Sequence, residues 1–204
     1  MGKYEKNENN SKKLRDEMIS LLHDLVYVLC AVILLFTFCF RLMIVSGTSM
    51  CDTLQNGDYL LVLNSTLSGA PEVGDIIVAA KDDFHDGEPI IKRVIAVEGQ
   101  EVKIDFVQGI VYVDGVALDE PYTATPTSVS EGETFPQVVR PGCVFVMGDN
   151  RNDSKDSRSP QIGQIDRREI LGKAIFLLFP GKNRWNGETD LGRIGGLCSR
   201  ATIK

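Results

Sequence analysis

The chain has 204 residues, of which 43% are hydrophobic and 25% charged, and its net charge is −6. That length holds one ordinary domain with an appendage, and an acidic chain without a basic stripe argues against nucleic acid as a partner. The five cysteines, at 30, 39, 51, 143 and 198, have neither zinc-ligand nor disulfide-ladder spacing, so no metal or cofactor is expected. They leave open whether Cys143 and Cys198 pair.

Hydrophobicity is unevenly spread. Leu25 to Phe40, LVYVLCAVILLFTFCF, carries no charge and covers about 24 Å as a helix. Carried on through Arg41 to Val45, the run reaches the length that crosses a hydrocarbon core, with Arg41 near its end able to snorkel. Lys3, Lys6, Lys12, Lys13 and Arg15 precede it, and no Lys or Arg occurs from Leu42 to Ala80. The positive-inside rule then predicts a cytoplasmic segment 1–24, a transmembrane helix 25–45 in the plasma membrane, and an extracytoplasmic domain 46–204. A cleavable signal peptide shares the basic lead and apolar core, but its core is usually shorter than this run. The domain from Ser46 on carries a net charge of −7, because six of the 22 basic and five of the 28 acidic residues precede it.

Beyond Val45 the pattern changes to short alternating runs. Residues 59–63, 75–80, 89–97, 101–106, 143–149 and 170–179 read as strands. Residues 110–118 read as a hairpin turning on Asp114-Gly115, a type I′ dipeptide. With almost no helical period between them, these runs predict a mainly β fold, an antiparallel β-sheet domain preceded by one transmembrane helix. Residues 123–141 read as a surface excursion, and the patternless stretch after Phe179 reads as loosely held.

Three stretches could carry chemistry. SGTSMCDTL, from Ser46 to Leu54, is rich in hydroxyls, but a nucleophile needs a base. Of the two histidines, His23 precedes the span and His85 lies in the acidic loop DDFHDGEP, where a solvated surface role is the plainer reading. Lys92, in PIIKRVIAV, is the other available base. An ammonium among Ile90, Ile91, Val94 and Ile95 has its charged form disfavoured, although strand periodicity alone would turn it outward. Arg93 then faces the opposite side and needs an acidic partner if buried. The third stretch, GDNRNDSKDSR, is a polar loop in which Asp149, Arg151, Asp156 and Arg158 could pair; taken alone it reads as an exposed turn.

Together, SGTSM-x-x-TL, KRVIAVEG and GDNR-x-x-S-x-DSR, in that order after one N-terminal span, resemble the bacterial type I signal peptidases. The resemblance implies a membrane-anchored serine endopeptidase whose partners are the lipid bilayer and the signal peptides of secreted preproteins. It implies that Ser49 is the nucleophile, that Lys92 is the general base, and that Ser154 hydrogen-bonds and orients that lysine. Arg93, Asp149, Arg151, Asp156 and Arg158 would supply supporting ion pairs. Val45, Gly47, Met50, Leu54, Ile90 and Ile91 would line the shallow substrate pockets. Asp52 stands where the family usually has proline. Gly47 stands where some relatives have a serine that donates to the oxyanion, which leaves that role to the Ser49 backbone N–H. The competing readings are a Ser–Lys peptidase with a dedicated substrate such as a pilin, self-cleavage as in the SOS-response repressors, and a non-enzymatic anchored module. The absence of a DNA-binding module argues against the second, and the joint presence of Ser49, Lys92 and Ser154 against the third.

Overall fold

Alternating apolar residues form the strands that frame the core beyond Phe40, and the register of those strands decides what faces the site. The computed structural model describes residues 2–51, 53–81, 84, 87–183, 185–197 and 202–203. His85 and Cys198, with the readings that involve them, lie outside these residues. The chain divides into two compact units, Met1–Phe40 and Arg41–Lys204.

The first unit is a helix, α1 (Gly2–Phe38). Its segment Lys12–Phe38 is long and apolar enough to cross a membrane, with a mean hydropathy of 2.4 in its most apolar window. The expectation of a helix through Val45 is corrected. The helix ends at Phe38, and Phe40–Ile44 forms a strand, β1, that pairs with β2 (Tyr59–Asn64). A short apolar run suits either period, and here the neighbouring strand decides it.

In the second unit, β1, β2, β3 (Ile76–Ala79), β4 (Ile90–Val97), β9 (Cys143–Met147), β10 (Ile165–Asp166), β11 (Ile170–Phe179) and β12 (Gly195–Gly196) form one sheet. Its order is β1-β2-β11-β3-β4-β9-β10, with β12 added to β11. A second sheet has the order β13-β7-β6-β5-β8. It is built from β5 (Glu101–Asp105), β6 (Ile110–Val113), β7 (Val116–Asp119), β8 (Gln137–Val138) and β13 (Thr202–Ile203). The β6–β7 hairpin turns at Asp114-Gly115, with φ of 51° and 78°, as the dipeptide predicts.

Period-two alternation sorts the core. On β9, Cys143, Phe145 and Met147 face a cluster shared with Val102, Ile104, Val111 and Val113 of the smaller sheet. Val144 and Val146 face the opposite way, toward Ile77, Val94 and Ile162. A third cluster joins Leu60, Val62, Ile76 and Val78 to Val45, Met50 and Leu54 of the connection that follows β1. That connection, which carries Ser49, is therefore anchored in the core by apolar residues on both sides of the serine.

The central strand β11 is antiparallel to both β2 and β3, and Gly172 lies opposite Asn64 on one side and Val78 on the other. A Cβ at Gly172 would stand 2.2 Å from the Leu63 carbonyl oxygen and 2.8 Å from a Val62 methyl. Neither backbone nor β-branched side chain can give way there. Gly172→Ala is expected to destabilise the domain by about 1–3 kcal/mol. Chemical denaturation should show this as a lower midpoint at unchanged slope.

Candidate active site

Three segments converge on Ser49. The connection between β1 and β2 presents its hydroxyl, β4 presents Lys92, and the loop after β9 closes around both. Lys92 Nζ lies 2.8 Å from Ser49 Oγ and donates a second bond to the Ile91 carbonyl at 3.0 Å. The outward orientation that alternation alone suggests for Lys92 is not what the structure has: Lys92 is only 5% exposed. Both faces of β4 are covered from Lys92 to Ala96, so strand period carries no information about exposure there.

Burial pushes the Lys92 pKa down from 10.5 to about 8, because the ammonium loses its hydration. The carboxylates of Asp156, Glu131 and Asp149 work against this by favouring the charged form, while Arg158 assists it. Below that value the ammonium donates to Ser49 Oγ. Above it the free amine has a lone pair, and the serine O–H can donate to it. Ser49 itself is half-buried. Among the described residues its backbone N–H donates to no protein group. The Gly47 N–H, by contrast, is taken by Asn56 Oδ1 at 3.0 Å.

Arg93 points to the other face and finds Asp149. The two side chains, both fully buried, are joined by bonds of 2.8 and 2.6 Å. Asp149 also accepts from Thr53 Oγ1 at 2.5 Å, which ties the ion pair to the serine connection. Two guanidiniums lie over the Tyr122 ring, Arg93 4.0 Å and Arg151 5.8 Å from its centroid. Arg151 does not pair within its own loop as the sequence suggested. It forms a fork with Glu120, and it also donates to the Gly148 carbonyl and to Thr127.

Arg158 and Asp156 do pair within the loop, at 2.8 and 2.7 Å. The expected bond from Ser154 to Lys92 is absent. The Ser154 hydroxyl donates to Asp156 at 3.0 Å, and the bonds of Lys92 among the described residues go to Ser49 and Ile91. A carboxylate two residues away is the stronger acceptor for a buried hydroxyl. Ser154 nevertheless packs into the site: a Cβ on Gly148 would stand 2.2 Å from Ser154 Oγ and 2.4 Å from the Ser49 carbonyl oxygen. Only glycine leaves room for both. The Ser49 carbonyl accepts from the Asn150 N–H, Asn150 Nδ2 donates to the Thr48 carbonyl, and the Thr48 hydroxyl donates to Asp153.

The segment 123–141 is not the free excursion its composition suggests. The Val129 carbonyl accepts from Arg158, Glu131 accepts from the Asp156 N–H, and Thr127 is buried. Among the described residues every buried side-chain nitrogen and oxygen has a partner. The exposed-turn reading of the loop after β9 therefore fails: it is a satisfied polar core.

Ser49 and Lys92 open onto a cleft of about 330 Å³. Of the residues expected there, Val45, Gly47, Met50, Ile90 and Ile91 line it, and Met43, Ile44, Phe84 and Pro89 add apolar wall. Leu54 is corrected: it is fully buried in the core and is not among the lining residues. Sequence reasoning missed Thr53, Tyr122, Glu120, Glu131 and Asn150. Thr53 and Asn150 stood inside the quoted motifs, whereas Tyr122, Glu120 and Glu131 carried no local signal.

Residues 18–179 match the family described as signal peptidase, peptidase S26. A probable signal peptidase I-1 of Synechocystis is 40% identical over 149 residues, 69% of this chain and 71% of that one. The signal peptidase I S of Bacillus subtilis is 32% identical over 185 residues, 86% of this chain and 95% of that one. A signal peptidase I of Bacillus caldolyticus is 36% identical over 167 residues, 75% and 87% of the two chains. A buried lysine against a half-buried serine, at the mouth of an apolar cleft, agrees with that likeness: the chain belongs to the signal peptidase family, peptidase S26, and is a serine hydrolase of the signal peptidase I kind.

Proposed function

We propose that this chain is a membrane-anchored endopeptidase that removes signal peptides from exported preproteins with Ser49 as nucleophile and Lys92 as general base. The 2.8 Å approach of a buried Lys92 Nζ to Ser49 Oγ carries the reading. Neutral Lys92 takes the Ser49 proton as the oxygen adds to the scissile carbonyl. The Ser49 backbone N–H, which has no protein partner among the described residues, donates to the oxyanion. Collapse passes the proton from Lys92 to the leaving amine, and the mature protein departs. Lys92 then deprotonates a water that hydrolyses the acyl ester, and Ser49 recovers its proton.

Val45, Met50, Ile90 and Ile91 make a shallow apolar cleft suited to small side chains before the cut. An extended peptide would lie beside β1, the first strand in the sheet order. Arg93 and Asp149 hold the serine connection through Thr53. Asp156 and Arg158 hold Ser154 and Gly148 against it. Helix α1 crosses the membrane with the basic residues before Asp16 inside and the domain after Val45 outside, which confines enzyme and tethered substrate to one plane.

Three outcomes test this reading. Ser49→Ala and Lys92→Ala should each abolish cleavage of a preprotein by the detergent-solubilised chain while the fold persists, and the double variant should be no worse than either. Retained cleavage in either single variant removes the dyad.

Activity should rise about tenfold per pH unit up to about 8 and then level, because only the free amine is competent. An acid limb near 10.5 would mean that Lys92 is solvated.

Burial also has a stability cost. Between about 8 and 10.5 the unfolded chain binds the Lys92 proton and the folded chain does not, so stability rises with pH across that window. Lys92→Met should therefore stabilise the domain below pH 8, by up to about 3 kcal/mol, with the gain shrinking as pH rises toward 10.5. Thermal midpoints of both proteins at pH 6.5 and 9.5 measure it, and a gain independent of pH would contradict it.

A further inference from the structure

Beyond the 18–179 family match, the chain turns back over the serine connection. Gly181 passes so close to residues 56–58 that an added Cβ would stand 2.3 Å from the Asn56 carbonyl oxygen and 2.7 Å from the Gly57 carbonyl carbon. β12 then pairs with β11, and Leu197 packs on the cluster that contains Val45, Met50 and Leu54. Among its described residues to Leu197, the tail expected to be loosely held is a fastened strap.

Much of its polar fastening among the described residues centres on Asp58. Asp58 is fully buried, and its carboxylate accepts from the Gln55 N–H at 2.8 Å and the Gly181 N–H at 2.7 Å. Arg193 supplies the countercharge, with bonds of 3.1 and 2.6 Å to the two Asp58 oxygens and a third, 3.1 Å, to the Thr53 carbonyl. The Thr53 hydroxyl is meanwhile held by Asp149. Thr53 is thus gripped at both ends, by Arg193 through its carbonyl and by the Arg93–Asp149 pair through its hydroxyl. Asp58 also closes the connection on itself: the Val45 N–H donates to the Asp58 carbonyl at 2.9 Å, and the Gly57 N–H to the Val45 carbonyl at 2.8 Å. Ser49 lies within the ring so formed.

We propose that Arg193 is a positioning residue for Ser49, acting through Asp58 and Thr53 to fix the height of the serine hydroxyl over Lys92. The inference rests on Ser49 being the nucleophile. Loss of the guanidinium leaves a buried carboxylate without its countercharge, and the connection must rearrange to hydrate it. A misplacement of about 1 Å at reacting atoms lowers turnover by up to about 100-fold.

The test measures preprotein cleavage by the full chain in detergent, well below its thermal midpoint, for Arg193→Ala, Arg193→Lys and Ser49→Ala. Arg193→Ala should lower kcat by about 10- to 100-fold with KM little changed. The acid limb should stay at about 8, since the burial of Lys92 is untouched. Arg193→Lys, which keeps the charge but not the fork, should recover part of the loss. Guanidinium ion at millimolar concentration should restore part of it in the alanine variant, because Arg193 is 19% exposed and leaves an open socket. A lower midpoint with wild-type kcat in both Arg193 variants would make the strap purely structural and overturn the proposal. A loss confined to KM would also overturn it, by making Arg193 a substrate contact. If Arg193→Ala does not fold, Arg193→Lys decides alone: wild-type kcat, or a loss in KM alone, overturns positioning, and a fall in kcat at unchanged KM supports it. Cleavage by Ser49→Ala would instead remove the nucleophile assignment, whatever Arg193 does.

Discussion

An ammonium group taken out of water is the constraint to which the rest of the domain answers. In the proposed mechanism Lys92 loses its proton near neutral pH to serve as a base, and burial is the force that lowers its pKa. Free carboxylates close to it would undo that, because each favours the charged form. Of the three carboxylates that favour the charged form, two are held in company and the third, Glu131, accepts a backbone N–H from Asp156. Asp149 carries Arg93, and Asp156 carries Arg158, each as a two-point pair with both members fully buried. A paired carboxylate still accepts hydrogen bonds from Thr53, Ser154 and the Gly148 N–H, but acts on the lysine as part of a near-neutral group. Rigid hydrogen bonding is thereby obtained without restoring the charge that burial removes.

Such a core tolerates no loose ends. Buried ion pairs barely repay their desolvation, and an unpaired member is far more destabilising than the pair is stabilising. Arg151 illustrates the requirement: its guanidinium reaches Glu120, Thr127 and the Gly148 carbonyl and faces the Tyr122 ring. Tyr122 in turn has its pKa pushed far up by burial, so its phenol stays a donor, and it gives its proton to a bond with Glu120. The segment between β7 and β8 exists in this form because the loop after β9 needs partners that its own eleven residues lack.

How much of this could be read in advance follows from where each signal resides. Alternation marked the strands because one side of most of them is distinct from the other, and Asp114-Gly115 marked its hairpin because few residues adopt positive φ. The end of α1 was not legible, since FRLMI is apolar enough for helix or strand and only the pairing with β2 selects between them. The burial of Lys92 escaped periodicity because β4 is covered on both faces, and there only the likeness to the signal peptidases pointed to it. The partners of Arg151 and Arg193 lie 31 and 135 residues away, at separations where no local pattern survives. Ser154, expected to hydrogen-bond Lys92, donates to Asp156 instead, because a motif records that two residues are neighbours and not which proton goes where.

The cleft and the proposed base share a wall. Ile90 and Ile91 precede Lys92 on β4, Met50 follows Ser49, and all three line the space where a peptide would lie. The side chains that would hold small apolar residues of a substrate also keep water from the amine. A peptide seated against them removes further water from Ser49 and Lys92, and it shifts the lysine in the direction that favours the neutral form. A histidine base, uncharged over much of the physiological range, needs no such shelter. The lysine base proposed here does, and an apolar cleft would provide it with the same atoms proposed to select the substrate. On this proposal, enlarging the cleft to admit a bulkier side chain would hydrate the base, which couples acceptance of larger residues to loss of the low lysine pKa.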